Sequence, residues 1–168
     1  GDKRRTTSYR INNSVLIDSG TGVGELSLEE LSKIDHIVLT HAHWDHISCL
    51  PLIPDAVFSM RKKGIRVWAL PKVVDIIKQH VFNNHLWPDF TSIQIPGTEE
   101  MVMYLNALPE DDSLMIDGLR INKLAAHHGI PACGYRVQQN GSSLAFSGDT
   151  GEEPKFWDAI DTDQDLAA

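Results

Sequence analysis

Short apolar runs alternate with polar turns along this chain, and the hydrophobic period changes partway through it. Val15-Leu16-Ile17, Ile37-Val38-Leu39 and Ile65-Arg66-Val67-Trp68-Ala69-Leu70 are brief runs rich in β-branched residues and read as buried strands. Ser27 with Glu30 has the spacing of a capping box, which predicts a short helix through Ser32. The apolar stretch 47–60 is predicted to be helical after its prolines. Pro71 suits the first turn of a helix, and Val73, Val74, Ile77 and Val81 then fall at helical spacing, predicting one apolar face on a helix over 71–85. Further on, Leu119, Ile121 and Leu124 belong to a strand. Tyr135 with Val137, and Leu144 with Phe146, alternate as two paired strands joined by a turn at Asn140-Gly141. A last helix is expected to start at Glu153-Pro154. This order of elements implies a two-sheet sandwich with helices outside.

The chemistry concentrates where the Ile37–Leu39 strand ends. Thr40-His41-Ala42-His43-Trp44-Asp45-His46 places three imidazoles and a carboxylate within six positions, a ligand set suited to zinc or a similar divalent ion. Two histidines at i and i+2 on an extended segment point to one side and can grip one metal. Asp45 and His46 then turn toward a neighbouring position, which suggests two metals. Two later segments complete the set. His127-His128 stands in a loop before the Tyr135 strand, and Asp149 sits in the turn Ser147-Gly148-Asp149-Thr150-Gly151 after the Leu144 strand. A carboxylate held there can bridge two cations, and flanking glycines allow the backbone a close approach.

Taken in order, Leu16-Ile17-Asp18-Ser19-Gly20, His-x-His-x-Asp-His, His128-x-x-Pro131 and Ser147-Gly148-Asp149-Thr150 resemble the metallo-β-lactamase superfamily. The resemblance runs from residue 16 to residue 151, and it implies an α+β fold: an αββα sandwich of two mixed sheets with the metal site at one edge. It implies that His41, His43 and His128 hold a first metal, that Asp45 and His46 hold a second, and that Asp149 contacts both. Asp18 matches an aspartate that in the family steadies the metal loop. The run His41-Ala42-His43-Trp44-Asp45-His46-Ile47-Ser48-Cys49-Leu50, with the segment His80–Phe90, is similar to class II cyclic-nucleotide phosphodiesterases and their bacterial relatives. Trp44, Cys49 and His85 depart from that branch without touching the ligands. The implied activity is cleavage of 3′,5′-cyclic nucleotides to 5′-monophosphates, with a metal-bridging hydroxide as nucleophile and Asp45 as the catalytic carboxylate that orients it. The implied cofactors are two divalent ions, zinc first, with manganese or iron as alternatives. The same site also serves hydrolases of lactones, thioesters, sulfates or β-lactams, and a metal-binding fragment without activity is the third reading.

The family supplies a late histidine to its second metal, whereas none of the eight histidines here follows His128. That absence, the start at Gly1-Asp2-Lys3 and the ending Asp165-Leu166-Ala167-Ala168 read as one metallo-hydrolase domain, residues 1–168, clipped at both ends, with a natural variant that has one strong metal site and a vestigial second as the rival reading. With 42% hydrophobic and 23% charged residues the composition is that of a globular enzyme, with no stretch of membrane-spanning length, and a cytoplasmic location is the expectation. Cys49 and Cys133 are too few for a disulfide framework and read as small buried hydrophobes. The net charge is −8, and Lys and Arg gather only as Lys3-Arg4-Arg5 and Arg61-Lys62-Lys63. Two divalent cations would add about +4, which leaves the chain acidic. A nucleic-acid polymer is therefore not an expected partner, and a small anionic substrate is. The sequence does not name the oligomeric state, and a dimer is compatible with it. His36 is expected to begin a strand and His80 to lie on the 71–85 helix, both in structural or solvated roles. His127 is open between hydrogen-bonding substrate and merely sitting in its loop. Phe82, Trp87 and Phe90 read as core packing first and as a stacking wall for a base second.

Overall fold

A computed structural model describes residues 4–110 and 113–161. Lys3 of the basic triplet and the closing segment 165–168 lie outside the described residues. The chain divides into two compact units, residues 1–107 and 108–168.

The first unit is a five-stranded sheet in the order β1 (Tyr9–Arg10), β2 (Val15–Ile17), β3 (His36–Val38), β4 (Ile65–Ala69) and β5 (Met103–Ala107). β1 runs antiparallel to β2, and β2 through β5 are parallel. Parallel strands need crossovers, and three of them carry helices: α1 (Leu28–Leu31), α2 (Trp44–Ile47) with α3 (Leu52–Val57), and α4 (Pro71–His80). The capping box that starts α1 is complete, with Ser27 Oγ accepting from Glu30 N at 3.2 Å and Glu30 Oε2 accepting from Ser27 N at 2.9 Å. Leu16, Ile37, Leu39, Ile53, Val67, Val73, Ile77 and Met103 belong to one buried cluster. Phe82 and Phe90 join it with ring centroids 6.2 Å apart, so they are core residues rather than a stacking wall. Trp87 packs against the same cluster.

Helix α4 stops at His80 rather than running to residue 85. The chain turns there because Asn83 Oδ1 accepts from the backbone N–H of His85 and Leu86, at 3.0 and 2.8 Å, and Asn84 adopts a positive φ of 60°. His36 does begin β3, and its Nδ1 accepts a hydrogen bond from Trp68 Nε1 at 3.1 Å. His80 is exposed at the end of α4. Among the described residues no helix is long and apolar enough to cross a membrane.

The second unit is a four-stranded antiparallel meander of β6 (Ser113–Ile116), β7 (Leu119–Leu124), β8 (Gly134–Gln139) and β9 (Ser142–Phe146), followed by α5 (Pro154–Asp161). Two tight turns set its register. Asn140 and Gly141 have φ of 51° and 75°, and Asp117 and Gly118 have φ of 48° and 77°. Paired positive φ values match the twist of the flanking strands. Leu114, Ile116, Ile121, Tyr135 and Val137 are buried along one face of this sheet. Phe156 of α5 is buried where β8 offers Gly134, whose absent Cβ would lie 3.0 Å from the Phe156 ring. Cys133 is buried, and Cys49 of the first unit is half-buried at the edge of its core.

Candidate metal centre

The His/Asp heptad begins where β3 ends, and a parallel sheet presents its loops at that edge. His41 and His43 extend from the strand end, and α2 begins immediately afterwards at Trp44 with Asp45 in its first turn. His41 is fully buried, and Asp45 is about half exposed. His41 Nε2 and His43 Nδ1 face one another at 3.2 Å. Two nitrogens bound to one tetrahedral zinc at 2.0–2.1 Å would stand about 3.3 Å apart. The pair therefore already has the bite that a shared ion requires. On the other side of the loop, His46 Nε2 lies 3.7 Å from Asp45 Oδ2, close enough for a second ion to take both.

What holds this loop is a buried carboxylate. Asp18 follows β2 in the left-handed region, with φ of 56°, and is completely inaccessible to solvent. Its Oδ1 accepts from Thr40 N at 2.8 Å, and its Oδ2 accepts from Thr40 Oγ1 at 2.8 Å and from His46 Nδ1 at 2.7 Å. Burial pushes the Asp18 carboxyl up from its ordinary range, while the bonds from His46 and Thr40 pull the other way. With Nδ1 of His46 as the donor, Nε2 keeps the lone pair that a metal could take, which is how an outer carboxylate sets a histidine tautomer.

Gly20 supplies the remaining constraint. A Cβ there would overlap the carbonyl oxygen of Asp45 and would lie 2.5 Å from Thr6 Oγ1 and 2.6 Å from the Thr7 carbonyl oxygen. Ser19 N also donates to the His46 carbonyl at 2.7 Å. The segment 18–20 thus runs directly beneath the heptad. Gly20 and Thr40 are in the sequence motifs, but their supporting roles follow from a close approach that no periodicity reports.

The second unit brings His128 and Asp149 together, with their ligand atoms within 4.8 Å of each other. His128 is half-buried and Asp149 exposed. Their two loops are tied by backbone: Gly151 N donates to the His127 carbonyl at 2.7 Å, and His127 N donates to Thr150 Oγ1 at 2.9 Å. Gly148, with φ of 58°, turns the chain out of β9 ahead of Asp149. An open cleft of about 630 Å³ is lined by His127, His128, Gly129, Gly151, Glu152 and Pro154.

Fold and His/Asp spacing agree with one family, and the chain belongs to the β-lactamase superfamily, its residues 13–164 matching the family described as the beta-lactamase superfamily domain. Within that family it is similar to 3′,5′-cyclic-nucleotide phosphodiesterase 1 of Saccharomyces cerevisiae, at 35% identity over 65 residues, 38% of this chain and 18% of the yeast enzyme. It is also similar to Ribonuclease Z of Staphylococcus aureus, at 30% identity over 150 residues, 80% of this chain and 44% of that enzyme. The crystal structure of unliganded yeast PDE1 shares the fold with a TM-score of 0.69 at 18% identity, covering 89% of this chain and 61% of that one. The chain thus spans less than half the length of these two curated relatives. Members of the family with this fold are hydrolases, and the His/Asp residues here form a set that can hold a divalent metal.

Proposed function

We propose that the two units act as one hydrolase domain, a dinuclear metal-dependent phosphodiesterase that opens 3′,5′-cyclic nucleotides to 5′-monophosphates. The observation that carries this reading is the prepared bite of His41 and His43 beside the Asp45–His46 pair, locked from below by Asp18. In this proposal His41, His43 and His128 hold one ion, Asp45 and His46 hold a second, and Asp149 contacts both. Imidazole and carboxylate donors in this number suit zinc, with manganese or iron as substitutes. When bound, the metals would supply Lewis-acid charge that lowers the pKa of water and neutralises the phosphoryl oxygens.

The chain's own residues do the rest. The exposed carboxylate of Asp45 orients a water toward phosphorus and accepts its proton as the new P–O bond forms. The same proton then passes to the 3′ oxygen as its bond to phosphorus breaks. Asp18 and Thr40 take no part in the reaction and keep His46 in one tautomer.

The ribonuclease relative favours a second reading, in which the scissile phosphodiester belongs to RNA. Charge argues for the smaller substrate. Arg61 spends its guanidinium inside the protein on Asp35, the Ser32 carbonyl and the Lys63 carbonyl, so the Arg61–Lys63 cluster offers fewer charges to a polymer than its sequence suggests. Arg5 is likewise paired with Glu25 at 2.7 Å. No membrane is expected as a partner.

The deciding experiment is metal stoichiometry on the purified chain, with cyclic AMP, bis-p-nitrophenyl phosphate, nitrocefin and a structured RNA offered to the same sample. Two metals per chain with 5′-AMP formation is the expected result. RNA cleavage without cyclic AMP hydrolysis would replace the proposal with the second reading. Nitrocefin turnover alone, or metal without any turnover, would overturn both.

A further inference from the structure

We propose that His127 is a substrate-contacting residue, its imidazole donating a hydrogen bond to the anionic phosphoryl group in the cleft lined by residues 127–129, Gly151, Glu152 and Pro154. The inference rests on the phosphodiesterase reading above and adds a residue that no ligand pattern assigns. Four observations converge on it. The cleft, about 630 Å³, is the size of sites that take nucleotide-sized ligands. His127 is fixed at both ends of its backbone, through its N–H on Thr150 Oγ1 at 2.9 Å and its carbonyl on Gly151 N at 2.7 Å. Its imidazole is nevertheless exposed, and among the described residues no side chain engages it. Gly129 leaves the neighbouring wall open, since a Cβ there would meet nothing within 4 Å.

A rigid backbone carrying an exposed, uncommitted donor is the usual arrangement of a residue that positions a ligand. A neutral imidazole retains one N–H, so the contact does not depend on the ring gaining a proton. Glu152 lines the same cleft and, among the described residues, is also uncommitted. Its carboxylate repels an anion and accepts from hydroxyl or amino groups. It therefore orients a nucleotide with the phosphoryl end toward His127 and a donor-bearing end toward Glu152.

The test is equilibrium binding of 5′-AMP to the metal-loaded chain, with metal content measured in the same samples. His127→Ala should weaken binding about tenfold, the loss expected for a hydrogen bond to a charged group, while keeping the wild-type metal content. His127→Asn, which keeps an N–H donor, should recover part of that loss. Glu152→Gln should move affinity the opposite way, tightening 5′-AMP about two- to threefold. KM for bis-p-nitrophenyl phosphate should rise in His127→Ala by the same factor as the binding constant, with kcat changing less. Unchanged 5′-AMP affinity in His127→Ala, or no 5′-AMP binding by the wild type, would overturn the assignment. So would metal loss in His127→Ala, which would make His127 a ligand instead. Should the wild type bind 5′-AMP but hydrolyse no phosphodiester, the phosphodiesterase reading fails while the binding series still decides the role of His127.

Discussion

His46 in the first unit and Asp149 in the second are both proposed ligands, yet their surroundings could hardly differ more. His46 is buried on the first helical turn after β3, with Nδ1 on a solvent-free carboxylate and its carbonyl on Ser19 N. Asp149 is exposed in a glycine-flanked turn whose neighbours are tied by two hydrogen bonds, Gly151 N to His127 O and His127 N to Thr150 Oγ1. In the first unit, ligand geometry and folding are one problem, because the groups that fix the imidazoles also fill the core. In the second, the proposed ligands sit on two loops outside the strands, tied to each other by backbone rather than to a buried carboxylate. Damage to the first set should therefore appear as lost stability together with lost metal, and damage to the second as lost metal alone.

The largest effects are expected beneath the heptad. Asp18→Ala would take the carboxylate acceptor away from Thr40 N, Thr40 Oγ1 and His46 Nδ1 in a solvent-free site, where a buried donor left unsatisfied costs about 1–3 kcal/mol. Denaturant unfolding should show a loss of about 3–5 kcal/mol. Metal affinity should fall about 10–100-fold, as when an outer-shell partner is removed. Gly20→Ala should be of similar severity, since its Cβ meets backbone that cannot step aside. A folded, fully metallated Asp18→Ala protein would remove the distinction between the two units.

Next in size is the division between ligands. Asp149→Ala should leave the unfolding midpoint of the metal-free chain nearly unchanged while emptying both proposed sites. His41→Ala should chiefly empty the first and also destabilise the chain, because His41 is fully buried. Elemental analysis beside thermal unfolding of the metal-free proteins separates the two. Equal metal loss in both variants would sink the assignment of Asp149 as the shared ligand. A smaller effect is expected for Thr150→Val, which removes the acceptor for His127 N and should cost about 1 kcal/mol at most.

The legible and illegible parts of the sequence divide on physical lines. Strong periodicity and specific chemistry were readable: the strands that became β2, β3, β4, β7, β8 and β9, the Ser27–Glu30 box, the apolar face of α4, and the heptad. Two of the unread strands carry little pattern. β1 is two exposed residues, and β5, Met103-Tyr104-Leu105-Asn106-Ala107, mixes an amide and an alanine into its run. β6 did carry a signal, since Asp117-Gly118 is a hairpin turn pair as clear as Asn140-Gly141. The end of α4 was missed because Asn83 acts through side-chain acceptance from His85 and Leu86, which competes locally with helix continuation. At the site, residue types announced ligands, whereas Gly20 and Thr40 matter through approaches across 25 and 22 positions, to Asp45 and Asp18.

The smallest expected effect lies on the surface of the first unit, far from any ligand in kind, and it calibrates the larger ones. Glu30 closes the α1 capping box, and the Ser27 backbone N–H it accepts, with Arg10 at 2.9 Å and the Ser27 hydroxyl, holds its carboxyl down from 4.5 to about 2. A carboxyl lowered in the folded state stabilises the protein above its unfolded pKa, and that contribution disappears as pH falls through the folded value. The contribution of Glu30 should thus be complete above about pH 4.5, decline below it and vanish near pH 2. Because the group is solvent-exposed, screening keeps the effect small. Denaturant unfolding of the wild type and Glu30→Gln at pH 6 and again at pH 3 checks it: the stability gap should be modest at pH 6 and narrower at pH 3. A gap that widened with acid would mean that the cap stabilises α1 through packing or propensity rather than through its charge.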